Sequence, residues 1–525
     1  MTAAVSTGTW APLANRVYRA LWLAQLGSSV GTWMQTVGAQ WLLVSRPHAS
    51  TLVPLVQTAS LLPVMLLSLP AGVLADVIDR RRLLIAVQAA MGAAAAVLAL
   101  VTAAGLTTPV VLLALTFLLG CGQALIGPAW QAVQPELVPK EQIPAAAALG
   151  SLAVNLARAV GPALAGALVA LTGAAAVFGV NALSFLLIVG ALVAWRRPPD
   201  QEGRGEHAIA ALRAGTRYVR NAPAVTRLMV RAAIFVVPGS ALWALLPVVA
   251  HSTLHLDSGG YGGLLAALGV GAVIGAVTLS PLRRRFSANQ VLAGAGLIFG
   301  LGTLSLALVA DVAVTAVALV VSGLAWLAAL STLNASLQLT LPGWVRARGL
   351  AGYLLIFQGG QALGAFLWGL LAGAVGTRWT LVVAGAVLIL GAATMPLLPL
   401  RRSTGTLDRT PVAHWPEPML VFEPEPDDGP VLVIQRYDVP DGNVPAFLAA
   451  MEFVGHSRRR TGATSWAVYR NGEREHEYVE VFVVPSWDEH LRQHRERMTG
   501  ADQAAEERAT ALTTGGPRVE HLLRD

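Results

Sequence analysis

The chain has 525 residues, 55% of them apolar and only 13% charged, with a mean hydropathy of +0.59. Soluble domains carry roughly a quarter charged residues, so this composition excludes an ordinary soluble enzyme and a disordered scaffold. The net charge of +7 hides two unlike pieces, because residues 1–402 sum to +15 and residues 403–525 to −8. The basic surplus sits in short loops between apolar runs, which argues against nucleic acid as a partner.

The first 19 residues are polar and lack the apolar centre and small-residue cleavage site of a secretory signal. Apolar runs then follow at 20–44, 51–75, 83–104, 110–133, 142–171 and 174–195. After a polar stretch they resume at 228–250, 260–280, 288–310, 312–336, 350–376 and 379–400. Each can cross a hydrocarbon core of about 30 Å at about 1.5 Å per residue, and runs of this length in lipid are helical. The expected fold class is an all-α polytopic membrane protein with 12 transmembrane helices in two six-helix repeats. The single cysteine, Cys121, sits in one of these runs and excludes an internal disulfide.

Orientation follows from the bases. With the N-terminus in the cytoplasm, 20 Lys and Arg residues fall in inside segments, and only Arg46 and Arg378 outside. That asymmetry predicts a bacterial cytoplasmic membrane protein with both termini inside. The expected boundaries are 1–195 for the N-terminal half, 196–227 for a central loop and 228–402 for the C-terminal half. A Pro-rich linker at 403–428 and a cytoplasmic domain at 429–525 follow. The central loop carries Arg213, Arg217 and Arg220 on an expected amphipathic helix, either lying on the inner leaflet or solvated.

The segment Gly72-Val-Leu-Ala-Asp-Val-Ile-Asp-Arg-Arg-Arg82 returns in weakened form as Gly275-Ala-Val-Thr-Leu-Ser-Pro-Leu-Arg-Arg-Arg285, 203 residues later. Two halves in parallel orientation are the arrangement of one class of secondary transporter, with substrate near the midplane. Gly72-x-x-x-Asp76-x-x-x-Arg80-Arg81 resembles the signature loop of the major facilitator superfamily, departing from it at Val77 and Asp79. Gly161-Pro162-x-x-Ala165-Gly166 is similar to the helix 5 motif of the family's antiporters. Leu21-Trp-Leu-Ala-Gln25 with Gly31-Thr-Trp33-Met-Gln35 resembles its enterobactin-exporter-like efflux branch. The resemblance spans about 1–400 and implies proton-coupled efflux. It also implies that Gly72, Asp76, Arg80 and Arg81 form a conformational latch, closing one face in the outward-open state. Positive-inside anchoring would account for the arginines alone, but not for Asp76.

Polar residues inside membrane helices are costly and face either a cavity or another helix. On helix 1, Gln25, Ser29, Thr32, Thr36 and Gln40 recur on one face. Helix 4 adds Gln123, Gly127, Gln131 and Gln134; helix 10 adds Ser331, Asn334 and Gln338; helix 11 adds Gln358 and Gln361. Trp33, Trp130, Trp243 and Trp326 lie on helices 1, 4, 7 and 10, which line the central cavity of the resembled family. Arg158 stands ~24 Å into helix 5 at 1.5 Å per residue, with Asn155 and Ser151 on its face. No acidic residue lies mid-span, so an anionic or electron-rich substrate is its expected partner, with helix-end carbonyls as the alternative.

The expected substrate-binding set is therefore Gln25, Trp33, Gln123, Gln131, Asn155, Arg158, Asn334, Gln338, Gln358 and Gln361. Arg231, near the inner end of helix 7, is expected to snorkel. The nine acids of 1–402 all fall in loops or at helix ends, so no proton relay is visible, and His251 and His255 are poor substitutes. Glycine pairs at 271 and 275, 360 and 364, and 369 and 373 offer close helix packing. Neither a Walker motif nor a dinucleotide fingerprint is found, so no cofactor is expected.

In the tail, candidate strands at 431–437, 463–470, 477–484 and 518–523 alternate with helices at 443–460 and 487–512. The order βαββαβ is that of a small α+β ferredoxin-like domain. It resembles the dimeric α/β barrels of antibiotic-biosynthesis monooxygenases, which implies a homodimer through this domain. Trp466, His456 and Arg458 are read as a core tryptophan and a solvated basic helix end rather than a pocket. His490 and His494 share a helix face, but no third ligand is visible in the sequence, so no metal is expected. The leading function is a secondary active transporter, not an enzyme, exporting a siderophore, drug or similar small molecule by alternating access. The alternatives are a non-transporting receptor or scaffold signalling through the tail, and a membrane-tethered monooxygenase-like enzyme.

Overall fold

A computed structural model describes residues 8, 10–195, 216–400, 408, 412 and 424–524. Arg213 and most of the Pro-rich linker lie outside the described residues, as does the side chain of Asp76. Among the described residues, the twelve apolar runs each form a helix. The first half comprises α1 (Arg16–Val44), α2 (Ala49–Val77), α3 (Arg80–Ala103), α4 (Pro109–Val133), α5 (Ile143–Thr172) and α6 (Ala174–Ala194). The second comprises α7 (Pro223–Ser252), α8 (Ser258–Arg285), α9 (Ala288–Leu308), α10 (Val312–Thr340), α11 (Gly343–Val375) and α12 (Thr377–Ala393).

Ten of these helices are long and apolar enough to cross a membrane. The expected count of twelve exceeds this for two physical reasons. The polar face of α1 dilutes its hydropathy, and α12 has only 17 residues.

The 203-residue offset runs deeper than the motif. Gly173 and Gly376 are each the single residue between the last two helices of a half, with φ of +87° and +86°. A side chain would be strained in that left-handed region, so glycine is required at both joints. Thr108 and Asp311 stand at the same offset, each accepting a hydrogen bond from the backbone N–H three residues on, Val111 and Val314. Each thereby satisfies an otherwise orphaned N–H at the start of α4 or α10. The two copies of the basic motif differ locally. Asp79 caps α3 by accepting from Arg82 N, so the first arginines open a helix. Arg283, Arg284 and Arg285 instead close α8, and α9 waits for the Ser287–Gln290 capping box.

The described chain forms two compact units. The first contains the N-terminal half with Arg231–Thr332 and Leu354–Leu398. The second contains residues 216–230, Leu333–Tyr353 and the tail from Pro399. The expected break between the two halves is therefore not where compactness divides the chain.

The tail is βαββαβ, as its sequence pattern predicts. Its strands are β1 (Val431–Asp438), β2 (Ser465–Arg470), β3 (Glu477–Val484) and β4 (Arg518–Leu523), in the antiparallel order β2-β3-β1-β4. Helix α13 (Val444–Thr461) follows β1. The expected helix at 487–512 is interrupted: α14 (Trp487–Arg492) leads into a π-helical turn at Gln493–Arg497, then α15 (Gly500–Thr510). Thr499 and Asp502 form a capping box that restarts the chain as α15. One sheet face packs Val433, Tyr437, Tyr478 and Phe482 under Phe447, Met451, Val454 and Trp487 of the helices.

Candidate substrate site and gate

In the first unit, Arg158 and Trp33 meet across α5 and α1. The Arg158 guanidinium carbon lies 5.6 Å from the Trp33 ring centroid, a cation–π contact. The two helices approach closely because Gly161 sits against Trp33, where a Cβ would come within 2.7 Å of the Trp33 Cβ. Arg158 Nε is buried and has no hydrogen-bond partner among the described residues. The helix-end carbonyls offered as an alternative therefore do not hold that nitrogen. Asn155 and Ser151, exposed on the same helix, bond along it, Asn155 Nδ2 donating to the Ser151 carbonyl.

The remaining expected residues divide. Gln25 Nε2 reaches Ser29 Oγ at 3.4 Å, while its buried Oε1 lacks a donor. Gln123 and Gln358 are half-buried and Gln131 is exposed. Gln361 accepts from Gln57 Nε2 at 3.4 Å, joining α11 to α2. Asn334 and Gln338 belong to the second unit and bond to each other at 2.8 Å.

Some residues read as cavity lining are packing elements. Gln40 accepts from Tyr261 Oη at 2.8 Å, and Thr32 and Thr36 donate to carbonyls one turn back on α1. Trp326 is 3% exposed and stacks among Phe235, Trp243, Phe299 and Phe357. Aromatic bulk in the middle of a half is core, which spacing alone does not distinguish from lining.

Arginines at the helix ends are backbone caps. Arg81 donates to the Leu192 and Val193 carbonyls at 2.8 and 2.9 Å, at the end of α6. Arg231 does the same for α12, reaching the Gly391, Thr394 and Leu398 carbonyls and the Thr394 hydroxyl. It is 4% exposed, so it is buried rather than snorkelling. A guanidinium suits these sites because the last carbonyls of a helix have no intrahelical donor and carry partial negative charge. Arg80 pairs with Glu136 at 3.0 Å within the same half.

Within the first unit the two halves share a cluster of contacts. Tyr261 stacks on Trp41 and bonds Gln40, and His251 meets the Trp41 edge. Thr58 Oγ1 donates to the Ala362 carbonyl at 3.2 Å. Gly166 and Gly262 pack backbone to backbone, a Cβ on Gly166 falling 3.0 Å from the Gly262 Cα. Gly369 and Gly373 sit against the side chains of Pro54 and Thr51. The expected helix 5 motif and one of the three glycine pairs thus serve this seam. The pairs at 271 and 275 and at 360 and 364 pack within the second half, against α10 and α7. These contacts lie at the end opposite the arginine-bearing loops. The sequence missed this seam because its partners, Gln40 with Tyr261 and Thr58 with Ala362, are separated by 221 and 304 residues.

In the second unit, Arg458 is buried, not solvated as expected. It bonds Glu480 at 3.0 and 3.3 Å and pairs with Glu506, while Trp466 Nε1 donates to Glu480 at 2.8 Å. Arg460 pairs with Asp502, and Arg497 forks onto Glu489 at 2.7 and 2.8 Å, with Arg217 joining Glu489 at 3.0 Å. Burial alone would raise the Glu489 carboxyl, but its bonds to Arg497 and the charges of Arg497 and Arg217 hold it below the ordinary value. Asp502 is likewise penalised by burial yet lowered by Arg460, Thr499 and Ser457. A cavity of about 430 Å³ lies beside this network, lined by Tyr218, Phe453, His456, Arg460, Asp502 and Arg508 among others. His456 therefore opens onto a cavity, while Arg458 and Trp466 meet at Glu480. Burial, then the neighbouring rings and Arg458, push His490 down to about 2 and His494 to about 3, so both are neutral at physiological pH.

Residues 7–525 match the family described as transmembrane secretion effector, of the major facilitator type. The chain belongs to this family. The match includes the tail. The multidrug efflux pump Tap of Mycobacterium tuberculosis is 25% identical over 411 residues, 75% of this chain and 96% of the pump. The enterobactin exporter EntS of Citrobacter koseri is 27% identical over 331 residues, 62% of this chain and 76% of the exporter. A bacterial homologue of the human lysosomal transporter Spinster, solved in an inward-facing, occupied conformation, superposes with a TM-score of 0.61. It is 16% identical, and the match covers 74% of this chain and 97% of that one. This family member is a multi-pass inner-membrane transporter of a small molecule, not an enzyme.

Proposed function

We propose that this transporter exports a small anionic or electron-rich compound of the siderophore type, by alternating access through twelve spans with both termini cytoplasmic. The observation that carries the substrate class is Arg158. It is a deep guanidinium with an unpartnered Nε beside Trp33, in a helix bundle that has no mid-span carboxylate. Cation and ring together suit a carboxylate or catecholate group, and one named relative exports enterobactin. In this reading Gln25, Gln123, Gln131, Asn155, Gln358 and Gln361, all in the first unit, supply neutral hydrogen bonds to the same cargo.

Orientation rests on the 20-to-2 asymmetry of bases. It puts the contacts of Trp41, Gln40 and Tyr261 at the periplasmic end. Gly72, Asp76, Arg80 and Arg81 then belong to a latch that engages when the cytoplasmic face closes.

The test is efflux of a labelled tricatecholate siderophore from cells lacking their own exporters. Expressing the chain should lower accumulation. Arg158→Gln should abolish that effect at equal expression, and Asp76→Asn should block transport while leaving cargo binding intact. Equal accumulation with and without the chain overturns the substrate class.

The tail carries a second reading, a homodimer. Opposite its helix-covered face, the sheet presents half-buried Leu432, Ile434, Val481 and Val483 with exposed Tyr469 and Leu522. A second copy of the sheet would cover this apolar face, as in the dimeric barrels the tail resembles. Light scattering of the full chain should give a dimer, and Val481→Arg a monomer.

A further inference from the structure

The fold gathers three histidines that the sequence keeps apart. His490 lies on α14, His494 in the π-helical turn and His521 on the edge strand β4. The ring centroids of His490 and His494 are 4.5 Å apart, and those of His490 and His521 are 4.9 Å apart. One nitrogen from each ring lies within 4.8 Å of the other two. Trp487 shields the group, with its ring 5.3 Å from His490.

Packing alone does not explain this cluster. His490 is fully buried, and neither of its ring nitrogens has a hydrogen-bond partner among the described residues. Leaving a buried polar group unpaired is costly, and native structures tolerate few such groups. Gln493 Oε1, on the same face as His490, is buried and makes no well-formed hydrogen bond among the described residues, yet it lies close enough to the His490 ring to favour its protonated nitrogen. Its Nε2 is already committed to Thr461 Oγ1 at 2.9 Å, which fixes the amide with its oxygen unused. Both vacancies are resolved together if one His490 nitrogen binds a metal and the other donates its N–H to Gln493. Histidine ligands usually have such an outer partner for the second nitrogen.

We propose that His490, His494 and His521 form a binding site for a borderline divalent cation of the zinc class, with a fourth coordination position open. Three neutral imidazoles are a zinc-type donor set. The charged side chains that act on His490 and His494 are Arg458, itself paired with both Glu480 and Glu506, and Arg495. Tetrahedral zinc with Zn–N bonds of about 2.0–2.1 Å needs nitrogens roughly 3.4 Å apart. The rings must therefore draw together by about 1 Å on loading, and His521 on an edge strand can follow. The π-helical turn belongs to the same device. Such turns interrupt α-helices frequently at functional sites, and here one begins between His490 and His494.

The test uses full-length protein in detergent, stripped with a chelator and titrated with Zn²⁺ and separately with Co²⁺. One equivalent per chain should bind, with the visible absorption of low-coordinate cobalt. His521→Ala, at the sheet edge, should weaken binding more than about 100-fold, beyond the usual effect of losing an outer-shell partner. His456→Ala, in the neighbouring cavity, should bind as the parent chain does. Circular dichroism of His521→Ala separates ligand loss from unfolding, and Gln493→Leu gives an independent reading by weakening binding about 10- to 100-fold. Failure of the parent chain to bind one equivalent overturns the site. So does equal binding by a folded His521→Ala variant.

Discussion

Buried and half-buried arginines are satisfied differently in the helical unit and in the tail. Arg81 and Arg231 in the helices bond carbonyls at the ends of α6 and α12, and Arg158 lies on an indole. Arg458, Arg460 and Arg497 in the tail bond carboxylates. The sequence contains the cause, since residues 1–402 hold only nine acids and the tail holds 21. A second unpaired charge in lipid is expensive, so the helices neutralise cations with dipoles and π-faces. The tail can use ion pairs because a partner is always within its own small core. Removing an arginine should therefore leave very different things behind in the two regions.

The largest effect is expected at Arg458. Arg458→Met strands Glu480 and Glu506, and breaking a buried pair in this way costs about 3–5 kcal/mol. Thermal melting of the tail should fall accordingly, and adding Glu480→Gln and Glu506→Gln should recover part of the loss. Arg231→Met leaves only neutral carbonyls unpartnered, so about 1–3 kcal/mol is expected from melts in detergent. A loss at Arg231 as large as at Arg458 would break the comparison.

Acid should separate the regions further. Glu489 and Asp502 are held below their ordinary values when folded. Their contribution is therefore complete above the unfolded carboxyl range of about 4 and is lost as pH falls through the folded values. The tail should melt progressively in acid while the helices, whose buried arginines use no carboxylate, hold. Hydrogen exchange at pH 7 and below pH 4 reads this directly. The smallest stability effect is expected at Arg158. Arg158→Gln should change melting by no more than about 1 kcal/mol, the worth of its contact with Trp33, even as transport fails, because Nε has no bond to lose. A large destabilisation there would mean that the guanidinium is structural.

Local signals were legible in the sequence. Helix positions, the repeat and the βαββαβ order follow from apolar period and turn chemistry, which act over a few residues. Gln25, Asn155 and Arg158 were legible as polar residues out of place. What they touch was not, except that Trp33 and Arg158 share the helices named from the sequence. Trp326 and Gln40 show the limit, since a packed core and a lined cavity demand the same spacing. Arg458 shows another, because a run of three arginines at a helix end looks solvated until carboxylates from β3 and α15 fold over it. His521 joined His490 only through the pairing of β4 with β1.

The constant 203-residue spacing of Thr108 with Asp311 and of Gly173 with Gly376 acts as a ruler of rotational phase. One residue added or lost between those marks would turn every later side chain by about 100° about its helix axis. Each half thus carries its polar and glycine positions at a fixed angular setting relative to its twin. Segments between the marks, such as α4 through the α5–α6 joint, should be exchangeable between halves without loss of phase, whereas a single-residue deletion in α5 should not be rescued by any substitution near it.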